Sequence, residues 1–138
     1  MSVLVLIGRI LFSALFLSAV LPHLTRTGMM AGYAKSKGVP LAWAATFVGG
    51  LLLLAGGLSV LLGIWADLGA LLLVVFLVPT ALFMHAFWRE SGEARMAEQT
   101  HFSKDLALAG AALMLVGLIS YAGHGLGLTL TGPLFHLR

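Results

Sequence analysis

An all-α bundle of four membrane-spanning helices, alternating up and down, is the fold class this sequence predicts. Three observations predict it. Of 138 residues, 60% are hydrophobic and only 9% are charged, whereas soluble domains carry about a quarter charged residues. Lipid rather than water must solvate such a surface. Four apolar runs approach the roughly 20 residues that cross ~30 Å of hydrocarbon. None shows strand alternation, and backbone groups in lipid must pair within their own segment, so the runs are helices. Residues 1–138 form a single domain, with no length left for a separate soluble one.

The first predicted span covers residues 3–21 and is stopped by Pro22. No basic residue precedes it and further runs follow, so it reads as a retained helix rather than a cleaved signal. The second, 41–64, follows Pro40. The third, 68–87, contains Pro79, which removes a backbone hydrogen bond and can kink the helix. The fourth, 106–121, is short. Brief connections make neighbouring helices antiparallel. The loops carry structure of their own. Residues 29–37 can form an interfacial helix, and residues 88–101 an amphipathic surface helix. Ser103 and Asp105 then suit the N-terminus of the fourth span, Ser103 as a cap and Asp105 against the dipole.

Arg26, Lys35 and Lys37 lie in one long loop, and Arg89, Arg95 and Lys104 in or beside the other. Positive-inside topology puts both loops in the cytoplasm and both termini on the opposite side of an inner membrane. The net charge of +3 is thus a topology signal and not a sign of nucleic-acid binding. The lipid bilayer is the expected partner. Cysteine is absent, which excludes disulfides, thiolate metal sites and thiol redox chemistry in this chain.

Small residues predict how the spans pack. Gly49, Gly56 and Gly63 recur every seven residues along one face, and Gly110 and Gly117 repeat the device in the fourth span. Such residues let helices approach closely in lipid. Packing within the bundle is the leading reading. A quinone or other cofactor lying against this face, or a homo-oligomer interface, are the others.

Polar residues in or beside the spans are the candidates for function. Arg9 sits about six residues into the first span, roughly 9 Å at 1.5 Å per residue. A pair with Asp67, the acid expected at the same end, is the leading reading. Snorkelling to lipid phosphates and a site for an anionic or quinone head group are the alternatives. His23, His85 and His101 all fall near the other boundary. Ordinary interfacial contacts lead there, followed by hydrogen bonding to a quinone, then metal or haem ligation. Haem is disfavoured, because His23 lies too near the surface for an axial ligand, and no metal site is assigned. Lys104 can pair with Asp105 or with a loop glutamate. His124 and His136 belong to a Gly-rich tail that reads as a surface cap without specific chemistry. No nucleophile–base pair, phosphate loop or HExxH motif occurs, so the residues alone name no reaction.

Several segments, in order, resemble the DoxX family of small four-helix bacterial membrane proteins. They are Gly8-Arg9-Ile10-Leu11-Phe12, Tyr33 to Pro40, Gly56-Gly57-Leu58 through Leu61-Leu62-Gly63, Phe83-Met84-His85-Ala86-Phe87-Trp88, and Gln99 to Ala107 with His101-Phe102-Ser103-Lys104-Asp105. Two departures stand out. Many relatives carry an acid in the second helix, where this chain is apolar around Leu53. The family's usual Lys-Asn is Lys104-Asp105 here. The family is similar to the membrane subunit of thiosulfate:quinone oxidoreductase, and some members are linked to redox-stress complexes. The resemblance therefore implies an anchor or accessory subunit of a quinone-linked membrane redox complex, with other redox subunits as partners. Candidate ligand contacts are His85, Arg9, His101, His23 and Lys104. The alternatives are a non-catalytic scaffold and, less favoured, a small-molecule or lipid transporter.

Overall fold

The computed structural model describes residues 2–136 and is helical almost throughout. Arg138, counted in the charge balance above, lies outside the described residues. Five helices follow one another: α1 (Ser2–Thr25), α2 (Thr27–Ser36), α3 (Ala42–Leu62), α4 (Ala66–Met84) and α5 (Gly92–Ala122). Short 3-10 turns occupy Phe87–Arg89 and Gly123–Leu126. Four helices, α1, α3, α4 and α5, are long and apolar enough to cross a membrane.

The helices pack in a row rather than as a closed ring: α1 on α3, α3 on α4, α4 on α5. Each neighbour is antiparallel. Leu24 of α1 lies beside Gly50 of α3 and Leu17 beside Gly57, while Asp67 and His85, at opposite ends of α4, meet Ser120 and Asp105 of α5. The common core holds Phe16, Leu53, Val60, Leu73, Leu77 and Ala112, all buried. The bundle thus has a tail end, near Asp67 and the C-terminal tail, and a basic end, near Lys37 and Arg89.

Several boundaries differ from expectation for local reasons. Pro22 does not stop α1. Its carbonyl accepts the Arg26 N–H at 3.0 Å, so the helix runs another turn to Thr25. The expected interfacial helix is α2, which runs from residue 27 to 36. The third span ends at Met84, leaving His85 to Trp88 as a turn. The surface helix of residues 88–101 and the fourth span are one helix, α5. Its 31 residues extend ~46 Å at 1.5 Å per residue, well beyond the ~30 Å hydrocarbon core. Ser103 and Asp105 therefore lie in mid-helix, and neither caps an N-terminus.

The glycines divide. A Cβ on Gly56 would come within 2.8 Å of Leu73 and 2.9 Å of the Gly69 carbonyl, so α3 and α4 cross there almost backbone to backbone. Gly49 faces Phe76 and His23. The remaining three do not act as helix-packing residues. Gly63 ends α3 with φ +68°, a left-handed conformation that suits glycine. Around Gly110 and Gly117 there is open space. The buried side of α5 is instead Asp105, Ala109, Ala112, Ile119 and Ser120. The heptad spacing located a face of α5, but neighbouring helices cover a different one.

Candidate functional site

At the tail end, Arg9 and Asp67 do not pair with each other. Arg9 is buried and donates from Nε to the Val60 carbonyl at 2.8 Å, from Nη2 to Leu61 at 2.7 Å, and from Nη1 to Leu128 at 2.8 Å. Val60 and Leu61 stand in the last turn of α3, whose final carbonyls have no partner within the helix. The guanidinium fork satisfies two of them together with one from the tail. Asp67 is wholly buried and accepts from the Leu134 N–H at 3.0 Å, the Phe135 N–H at 2.6 Å and the Ser120 hydroxyl at 3.3 Å. Both charges are used on backbone, because the tail folds over the bundle and brings unpaired amides and carbonyls within reach. The tail is thus strapped in place, with Leu130 N–H bonded to Leu62, Thr131 N–H to Gly63, and the Thr131 hydroxyl accepting from Trp65 N–H.

At the basic end, His85 follows the last residue of α4, where the chain turns. Its ring reaches α5 and sits between two carboxylates. Nδ1 is 2.7 Å from Glu98 Oε2, and Nε2 is 3.7 Å from Asp105 Oδ2. The ring stacks on His101 at 5.0 Å between centroids, 24° from parallel. Lys37, just beyond α2, donates to Glu98 Oε1 at 2.8 Å and Glu90 Oε1 at 3.1 Å. Glu98 and Lys37 lie outside the apolar stretches. The hydrogen bond to Lys37, with one from His85, holds the Glu98 carboxyl below the usual carboxylate range. The same contact, aided by Glu90, raises Lys37 well above the ordinary lysine value. Lys104 is half exposed, 3.4 Å from His101 Nδ1 and 3.8 Å from Asp105 Oδ1. Beside this cluster, Phe87, Trp88 and Phe102 pack edge to face.

His85 also lines a cleft of about 410 Å³ between α1, α2, α3 and α4. Apolar side chains such as Leu52, Val75, Phe76 and Phe83 form most of its wall, and His23 and Tyr33 line it as well. His23 Nδ1 bonds the Ala19 carbonyl at 2.8 Å, which turns Nε2 away from its own helix, and its ring meets Phe76 edge-on.

The candidates thus fall into two places. His85, His101 and Lys104 cluster together, His23 stands on the adjoining cleft wall, and Arg9 is at the opposite end of the bundle. Among the described residues no three His, Cys, Asp or Glu are placed to hold a metal ion. Sequence reasoning missed Glu98, Glu90 and Lys37. A signal was present: Glu98, His101 and Asp105 have the i, i+3, i+7 spacing of one helical face. It becomes visible only when residues 92–122 are read as one helix.

The family model described as DoxX matches residues 4–86. The inner membrane protein YphA of Escherichia coli (strain K12) is 26% identical over 113 residues, covering 82% of this chain and 81% of that protein. No solved structure matches the chain. The family match takes in α1 to α4 and His85 but stops short of α5, which supplies both carboxylates beside that histidine.

Proposed function

We propose that this chain, which belongs to the DoxX family, anchors a quinone-linked redox complex in the bacterial inner membrane and binds a quinone ring in the cleft that ends at His85. The observation that carries this reading is the joining of an apolar cleft among the spanning helices to a histidine held between two carboxylates. Pockets for such ligands are mostly apolar with a few placed polar groups, and these residues fit that description. Phe76, Phe83 and Leu52 would hold a flat ring, while His85, His23 and Tyr33 offer polar contacts to its oxygens.

A bound quinone supplies two-electron, two-proton redox chemistry. The chain's own part is to bind and to handle protons. His85 shares a proton with Glu98 at Nδ1 and can exchange one at Nε2 with the cleft or with Asp105. Glu98 and Glu90, clamped by Lys37, connect that proton to water. Electrons would pass to or from a separate redox subunit.

The test is equilibrium binding of decyl-ubiquinone to the purified chain in nanodiscs, followed by tryptophan fluorescence. Saturable binding, weakened about tenfold, or ~1.4 kcal/mol, by His85→Ala is expected. Absence of saturable binding, or equal affinity in the variant, would end the proposal. A non-catalytic scaffold is the second reading, favoured by His85 already being bonded to Glu98 through Nδ1, and those same negative results would support it. For topology, we place the basic end in the cytoplasm under the positive-inside rule. Reporter fusions after the tail and within residues 90–98 test this, and a cytoplasmic C-terminus would reverse it.

A further inference from the structure

A second cavity, of about 450 Å³, lies at the tail end between α1 and α5, the two outer helices of the row, which do not pack closely on each other. Gly8 and Phe12 form one side and Ala111 and Leu118 the other. Leu118 is half exposed, so the groove opens sideways to lipid. Leu126 and Thr129 of the strapped tail close it above, and Arg9 stands in its wall. Arg9 is 96% buried, its exposure being 4%. Among the described residues no carboxylate pairs with it. Its partners are three carbonyls, which are dipoles and do not cancel its charge. Of the five N–H donors of a guanidinium, one on each terminal nitrogen stays uncommitted. A buried cation without a counter-ion is unfavourable, more so in lipid. An anion in the groove would stand beside Arg9 and neutralise it, and a carboxylate is the anion arginine pairs with best.

We propose that this groove binds a long-chain carboxylate, with its hydrocarbon between α1 and α5 and its head at Arg9 beneath the tail. The negative charge follows from Arg9 and the long apolar chain from the carbon-lined walls. A compact head follows from the tail, whose Leu128 carbonyl is bonded to Arg9 and whose Leu126 and Thr129 line the groove beside it. This site is separate from the His85 cleft, at the other end of the bundle.

The test uses tritiated palmitate and the purified full chain in phosphatidylcholine nanodiscs. Saturable binding of one palmitate per chain is expected, with hexadecanol competing at least about tenfold less well. Ala111→Trp, which fills the groove, should weaken palmitate binding about tenfold while leaving the unfolding temperature unchanged. Arg9→Gln should abolish the preference for palmitate over hexadecanol. Should that variant fail to fold, Ala111→Trp and the hexadecanol competition still decide the matter. Equal competition by hexadecanol, undiminished binding in Ala111→Trp, or competition by phosphatidylglycerol as strong as that by palmitate would each overturn the proposal.

Discussion

Asp67→Asn should loosen the C-terminal tail while leaving the bundle assembled. In the parent, one carboxylate oxygen accepts from Leu134 N–H and the other from Phe135 N–H and the Ser120 hydroxyl. Asparagine keeps one acceptor and loses its charge. Its amide places a donor against a second donor, and Asp67 is wholly buried, so water cannot take up the slack. A charge-assisted hydrogen bond contributes about 1.5–3 kcal/mol, and a stranded buried donor costs about 1–3 kcal/mol. Allowing for partial relaxation, the tail should lose about 2–4 kcal/mol of local stability. Amide hydrogen exchange reads this directly, because opening of the tail exposes the Leu134 and Phe135 amides. Their exchange should speed up by roughly thirtyfold to a thousandfold. Amides in the middle of α3 and α4 should keep their protection. If Leu134 and Phe135 exchange as in the parent, the carboxylate does not hold the tail. If α3 loosens equally, Asp67 supports the bundle itself, as a partner of Arg9 would.

The glycines give a paired test. Gly56→Ala should lower the stability of the detergent-solubilised protein by up to about 2 kcal/mol, since overpacking of about 1–3 kcal/mol works against a helix-propensity gain near 1 kcal/mol. Gly110→Ala, in open space, should be neutral or stabilising, and identical unfolding temperatures for the two variants would refute the assigned packing. Ser13 is buried with an unpartnered hydroxyl, so Ser13→Ala should be neutral or stabilising by up to about 1 kcal/mol in the same unfolding assay. The clamp at the basic end predicts a one-sided pH profile. Glu98 is lowered, so its contribution is present above the ordinary glutamate range and disappears as pH falls through the lowered value, below about pH 4.5. Lys37 is raised, so its contribution is complete below the ordinary lysine range and is lost only above about pH 10. Melting temperatures should hold from neutral to mildly alkaline pH and fall in acid. Glu98→Gln should flatten the acid fall, and an unchanged acid limb would refute the clamp.

Residue chemistry alone determined the outline of this protein. Apolar runs with so few charges can only be helices in lipid, because hydrocarbon leaves backbone groups no partner outside their own segment. That constraint is local, so the first three spans and the short helix of residues 27–36 were legible within a few residues, while the fourth span began fourteen residues earlier than expected, at Gly92. The close approach at Gly49 and Gly56 of α3 was legible too, since it depends on missing side-chain volume, whereas Gly63 serves as the helix end. What the sequence could not show was which face each helix turns toward its neighbours. Gly110 and Gly117 share the spacing of Gly49 and Gly56, yet only the latter meet another helix, because packing partners are chosen by the whole bundle. Charge pairing had the same character. Arg9 and Asp67 were matched by topology, but Arg9 was taken by two carbonyls at the end of α3 and one of the tail, and Asp67 by two amides of the tail and Ser120. The setting of His85 depended on a loop that proved to be helix, since only a continuous α5 aligns Glu98 and Asp105 on one face. Local rules of solvation act on the chain segment by segment and can be read from it. The partners of a buried charge are settled only when distant segments compete for it in three dimensions.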